Sequence, residues 1–211
     1  MSQVHTVAQG EHLAGIAAAY GFTDYESIWR DPANAQLKQK RKYPHTLHPG
    51  DQVVIPDRQE RHEPSATDKR HTYKRLGKRL MLRLAIKDFD NKPLKNEKCI
   101  LAIDGSSQDL QTDGDGKLEI RVSPEAKRGV LVVPRLDREI PIEIGHLDPI
   151  DEESGWRGRL INLGYYDGAP EDDKPEEWRW ALEEFQCDHG VRISGEADEA
   201  TRSKLKSVHG C

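Results

Sequence analysis

The chain has 211 residues, of which 35% are hydrophobic and 33% charged, with a formal net charge of −5. That balance excludes one large apolar core and points to small units with charged faces. No apolar run approaches the roughly 20 residues needed to cross a bilayer, and the first residues lack the basic start and apolar stretch of a secretory leader. Synthesis in the cytoplasm without such a leader is therefore expected, and membrane insertion is not.

Charge is unevenly placed. Residues 1–56 are neutral; residues 57–83 carry nine cations against four acids, 84–147 ten against twelve, and 148–211 eight against sixteen. An acidic C-terminal third is a poor partner for nucleic acid. Three cysteines, Cys99, Cys187 and Cys211, are too few and odd in number for a disulfide framework.

His5 to Ala8, with β-branched Thr6 and Val7, predicts a short strand, and Gly10 permits the turn after it. Leu13, Ile16, Ala17 and Tyr20 fall on one helical face, which Gly21 ends as a left-handed cap. Thr23 and Glu26 have the spacing of a capping box for a second helix carrying Ile28 and Trp29. Asp31-Pro32 ends that helix. Asn34 to Lys42 reads as a basic, helical insertion, within a loop lengthened by Asn34 to His45. Pro49-Gly50 turns into a closing strand, Gln52 to Ile55.

These residues, above all His5-Thr6-Val7, Gly10-Glu11, Leu13, Ile16-Ala17, Tyr20-Gly21 and Pro49 to Pro56, resemble the lysin motif (LysM), a carbohydrate-binding module of cell-wall proteins. The resemblance implies a βααβ fold over residues 1–57. It also implies a shallow groove for N-acetylglucosamine-containing glycan, lined by Gly10, Glu11, His12 and Leu13 on one side and Thr46, Leu47 and His48 on the other. His12 stands where that family has a small hydroxyl residue.

Residues 58–78 are polar and basic and read as a linker; His71-Thr72-Tyr73 is placed at the start of the next strand. Leu80, Leu82, Leu84 and Ile86 then alternate with polar or flanking residues, as a half-buried strand does. Further strands are expected at Cys99–Ile103, Leu118–Val122, Val130–Val133 and Ile140–Ile144. Thr112-Asp113-Gly114-Asp115-Gly116 reads as a tight hairpin. Its acids lack the spacing and helical flanks of an EF-hand. Residues 79–147 are thus expected to form a β-sandwich, similar to immunoglobulin-like or prealbumin-like modules, acting as a spacer or protein contact.

In residues 148–211 three helices are expected: Asp151–Leu163, a second opened by Pro175, and a third capped by Asp198. Trp178, Ala181, Leu182, Phe185 and His189 share one face of the second. Leu160, Asn162 to Tyr166, Ala181-Leu182, Phe185-Gln186, His189-Gly190, Ser194-Gly195, Asp198 and Thr201 resemble a peptidoglycan-binding domain. The resemblance implies a three-helix fold and ligand contacts at Tyr165, Tyr166, Asp167 and Gln186. Cys187-x-His189 and His209-x-Cys211 do not have the spacing of common zinc sites, and no metal or cofactor is expected.

The middle strands offer no nucleophile with a base, and Glu11 beside His12 has no identifiable partner carboxylate of the kind a glycosidase needs. The expected fold class is α+β multidomain, and the expected function is a non-catalytic peptidoglycan-binding protein. The arrangement looks like the lysin-motif proteins associated with type VI secretion spikes and phage-type tails. That resemblance implies spike or effector proteins as partners and delivery by a contractile injection system. A protein adaptor without retained glycan binding is the alternative, and a wall hydrolase a lesser one.

Overall fold

The computed structural model describes residues 2–58, 66–72, 80–88 and 90–210. It is a mixed α+β chain with six α-helices and antiparallel sheets among the described residues. Three hydrophobic clusters form, one each in the N-terminal, middle and C-terminal parts. No helix among the described residues is long and apolar enough to cross a membrane.

In the N-terminal part β1 (Gln3–Thr6) pairs antiparallel with β2 (Gln52–Ile55), Gln3 opposite Ile55 and Thr6 opposite Gln52. The strand lies two residues earlier than His5–Ala8. Val7 leaves the ladder because the β2 turn captures it: its N–H donates to the Asp51 carbonyl and its carbonyl accepts from Gly50 N, both at 2.9 Å. Between the strands lie α1 (Leu13–Ala19), α2 (Glu26–Trp29) and α3 (Ala35–Arg41).

Helix α1 ends as expected. Gly21 sits at φ 77°, and the Phe22 N–H reaches back to the Ala17 carbonyl at 2.8 Å, which satisfies a carbonyl the helix leaves free. Helix α2 starts differently. Thr23 and Glu26 form no capping box; the Asp24 carboxylate accepts from the Glu26 N–H at 2.8 Å, a shorter-range bond that Asp makes readily two residues ahead. Asn34, inside the supposed insertion, is 1% exposed. Its amide donates to the carbonyls of Ile28 and Val54 and accepts from Val54 N, so one side chain joins the helices to an edge strand. Leu13, Ile16, Ile28, Leu37, Leu47 and Val53 form the core of this part.

The middle part holds β3 (Leu80–Ala85), β4 (Lys98–Ile103), β5 (Ser106–Gln111), β6 (Lys117–Val122), β7 (Arg128–Val133) and β8 (Arg138–Glu143). β3 pairs with β6, and a second sheet runs β5-β4-β7-β8. Their inward residues, including Leu101, Leu118, Ile120, Leu131 and Val133, form one core. Thr112–Gly116 is not a hairpin: it crosses from β5 in one sheet to β6 in the other. The two-residue hairpin is Asp104-Gly105, where both residues take positive φ, 47° and 79°, the conformation that lets strand twist continue through a tight turn. Asp113 instead spends its carboxylate on the N–H groups of Asp115 and Lys117, each at 2.8 Å. Tyr73 lies outside the described residues, and His71-Thr72 belong to no strand.

The C-terminal part is α4 (Glu153–Leu163), α5 (Pro175–Asp188) and α6 (Glu199–His209). Pro175 opens α5, Asp198 caps α6 by accepting from Thr201 N at 2.8 Å, and Gly164 ends α4 at φ 87°. Leu160, Trp178, Leu182, Phe185 and Leu205 are at most 3% exposed. Arg159, 1% exposed, donates to the carbonyls of Asp148 and Gly155, which anchors the chain before α4 onto the helix.

Candidate functional site

Two surfaces follow from the sequence. The first is the pair of loops at one end of the N-terminal part. His12 precedes α1, and its Nδ1 accepts from the Gly15 N–H at 3.2 Å. It therefore does as a helix cap what a small hydroxyl residue does, with a larger, titratable ring. Burial pushes the His12 pKa down, and His45 adds to that, against a smaller opposing pull from Glu11.

Glu11 is folded back onto its own loop. Its Oε2 accepts from the Ala8 N–H at 2.9 Å and from His5 Nε2 at 2.7 Å. Burial alone would raise its pKa; the bonds from Ala8 and His5 and the nearby Lys127 cation together bring it below the ordinary value. Leu13 and Leu47 are core residues at 0% and 4% exposure, and Thr46 is 8% exposed. His48 is half-buried and donates from Nδ1 to the Pro49 carbonyl. The structure brings the two loops together through Val7, Gly50 and Asp51. It leaves only parts of Gly10, Glu11, His12 and His48 near the surface.

Asp51 is the hub of that end. Its carboxylate accepts from Arg41 Nε at 2.6 Å and Nη2 at 3.0 Å, from Lys40 Nζ at 3.0 Å and from His48 N at 2.9 Å. Burial opposes ionisation, but these donors hold the carboxyl below its usual range. Arg41 also donates from Nη1 to Glu152 Oε1 at 2.8 Å, and Lys206 Nζ lies 3.5 Å from the centre of the Tyr43 ring. The N-terminal part is thus tied to the C-terminal helices.

The second surface is the loop after α4. Tyr165 and Tyr166 diverge. Tyr165 packs edge-on against Phe185 and donates to Asp188 Oδ2 at 3.0 Å; burial and that acid push its pKa far up. Tyr166, 8% exposed, lies on Trp178 with ring centres 3.9 Å apart and donates to Asp172 Oδ2 at 2.8 Å. Arg157 lies 4.7 Å from the Trp178 ring centre and donates to the Pro170 carbonyl. The acidic loop is therefore held by aromatic and cationic side chains. Asp167 alone of the four expected contacts is exposed.

Gln186 is 0% exposed. Its amide donates to Ser194 Oγ, the Glu196 carbonyl and Thr201 Oγ1, and accepts from the N–H groups of Ser194 and Gly195. It pins the 194–196 turn between α5 and α6 and faces no solvent.

Trp180, 56% exposed, was not among the residues expected to touch ligand. Its signal was available: it lies two residues from Trp178, off the face that Trp178, Ala181, Leu182 and Phe185 bury. Among the described residues no group of three His, Cys, Asp or Glu side chains is placed to hold a metal ion. Cys211 lies outside the described residues, and Cys187 is exposed.

Comparison with curated proteins and with solved structures returned no match. Residues 157–205, from within α4 to within α6, match the family described as a putative peptidoglycan binding domain. That match supports peptidoglycan as a partner of the C-terminal helices.

Proposed function

We propose that the chain is a non-catalytic peptidoglycan-binding protein whose C-terminal helices make the principal wall contact. The observation that carries this is the match of residues 157–205 to a putative peptidoglycan binding domain. It is supported by a helical unit whose exposed side chains, Asp167 and Trp180 among them, offer a carboxylate and an aromatic face to a glycan or its peptide.

The N-terminal part is the second element of the proposal, read as a lysin motif. Its support is an antiparallel two-strand sheet closing over short helices, with both expected loops at one end. Its glycan contacts would be Gly10, Glu11, His12 and His48. The middle strands serve as an immunoglobulin-like or prealbumin-like spacer. The working context proposed is an accessory of a type VI secretion or phage-tail-like injection apparatus, which would deliver it to the wall.

Sedimentation with purified peptidoglycan tests the first element. Cosedimentation at low and moderate salt is expected, and a protein that stays in the supernatant at both sinks it. Copurification with spike or effector proteins tests the context; a chain that remains monomeric and unaccompanied in the producing cell counts against it. A second reading, an adaptor without glycan binding, is favoured by one observation: Leu13, Thr46 and Leu47 are buried and Glu11 is bonded within its own loop.

A further inference from the structure

Three glycines line a contact between the N-terminal loops and the middle strands. A methyl group at Gly10 would fall 2.5 Å from His146 Nε2 and 2.7 Å from its Cε1. One at Gly145 would fall 2.7 Å from His12 Cδ2 and 2.9 Å from the Gly10 carbonyl oxygen. One at Gly15 would fall 3.1 Å from the Pro124 carbonyl oxygen. The opposing residues come from two neighbouring segments of the middle part: the β6–β7 turn, with Pro124, and the stretch after β8, with Gly145 and His146. Those segments are joined by the Ile144 N–H donating to the Lys127 carbonyl at 2.9 Å.

Charge reinforces the contact. Lys127 lies close enough to Glu11 to help hold that carboxyl ionised, while within the middle part His146 Nδ1 stands 3.4 Å from Glu143 Oε2. A site too tight for a methyl group has no room for a sugar ring.

We infer that the middle strands form an autoinhibitory cover over the Gly10–Gly15 loop, so that N-acetylglucosamine-containing glycan reaches this loop only after the β6–β7 turn and the 144–146 segment move away. The inference rests on the proposed glycan role of the N-terminal part. The C-terminal helices contact wall without this step. An opening stimulus, such as a protein docking on the middle strands, would turn a one-site wall binder into a two-site one.

The test uses the full chain and the double substitution Lys127→Glu with His146→Glu, which sets acids against Glu11 and replaces none of the proposed glycan contacts. Two readouts are taken: diethyl pyrocarbonate labelling of His12, and binding of the N-acetylglucosamine tetramer by calorimetry. If the closed form predominates by about ten to one, opening raises both the labelling rate and the affinity about tenfold. His12→Ala added to the open variant then removes the gain in affinity. Equal and fast His12 labelling in both proteins overturns the cover. Equal tetramer affinity in both proteins, with His12 labelling accelerated, overturns gating. Accelerated labelling with no tetramer binding to either protein overturns the glycan assignment of this loop while leaving the contact standing. Sedimentation with whole peptidoglycan at least as strong as that of the parent chain shows that the double variant is folded at its C-terminal end.

Discussion

Gln186 separates a ligand contact from a structural pin. Replacing it with alanine removes an amide that makes five hydrogen bonds in a fully buried place. The Ser194 and Gly195 N–H groups lose their acceptor, and each buried donor left unpaired costs about 1–3 kcal/mol. Ser194 Oγ, the Glu196 carbonyl and Thr201 Oγ1 also lose a donor; the loss is smaller at Ser194 and Glu196, which reach solvent, than at Thr201, which is 0% exposed. The cavity adds to this, so a loss of about 3–5 kcal/mol in the C-terminal helices is expected. Gln186→Glu keeps an acceptor for the two N–H groups but cannot donate to Glu196 and Thr201, and should fall between. Because the chain has several cores, a single global unfolding curve is not a clean measure. Native-state hydrogen exchange at Ser194, Gly195 and the α5 amides reads the right unit. The reasoning is refuted if Gln186→Ala changes that exchange by less than about 1 kcal/mol while abolishing peptidoglycan binding. The amide would then be spent on ligand.

The other predictions address the remaining ties. Asp51→Ala leaves the Arg41 guanidinium, 5% exposed, with Glu152 as its remaining carboxylate and should cost about 3 kcal/mol; urea unfolding followed at N-terminal amides checks it, and a loss under ~1 kcal/mol means the pair is solvated. The folded Asp51 pKa is depressed, so its stabilisation is full above the ordinary carboxylate range. It is lost as pH falls through the folded value, and Asp51→Ala should flatten that acid limb. His209 is held down to about 4 by burial and by Arg159. Its neutral form is the native one, so C-terminal stability should be full above about 6.5 and decline as pH falls toward 4; an NMR titration of the ring near 6.5 would contradict this. Trp180→Ala should leave folding unchanged and weaken peptidoglycan sedimentation several-fold, whereas equal sedimentation removes Trp180 from the contact surface.

Local patterns were the legible part of the sequence. The faces of α1 and α5, the Gly21 cap, the Asp198 cap and the alternation in β3 and β6 all follow from periodicity and backbone preference. Features set by distant partners were not legible. β5, Ser106–Gln111, is polar and carries one apolar residue facing the core, Leu110, so only its pairing with β4 makes it a strand. The Asp-Gly pairs at 104–105 and 113–114 look equally like hairpins; which one folds tightly is decided by which sheet receives the next strand. Asn34, Arg41 and Arg159 look like surface residues until the carbonyls and carboxylates they serve are in place. At the candidate sites, exposure was not legible: Gln186, Leu13 and Leu47 serve the interior.

The bond from Arg41 to Glu152 and the seat of Lys206 on Tyr43 carry a consequence for how the chain would meet a wall. Two binding modules on a flexible tether gain from searching a volume, and their second attachment tolerates many spacings. Modules clamped to one another cannot search. Once the Gly10–Gly15 loop is uncovered, they would meet the polymer as a ruler does, matching one separation and one relative orientation of strands and failing at others. Selectivity for wall architecture, set by mesh spacing rather than by sugar chemistry, would then be written into one guanidinium on a carboxylate and one ammonium on a tyrosine ring.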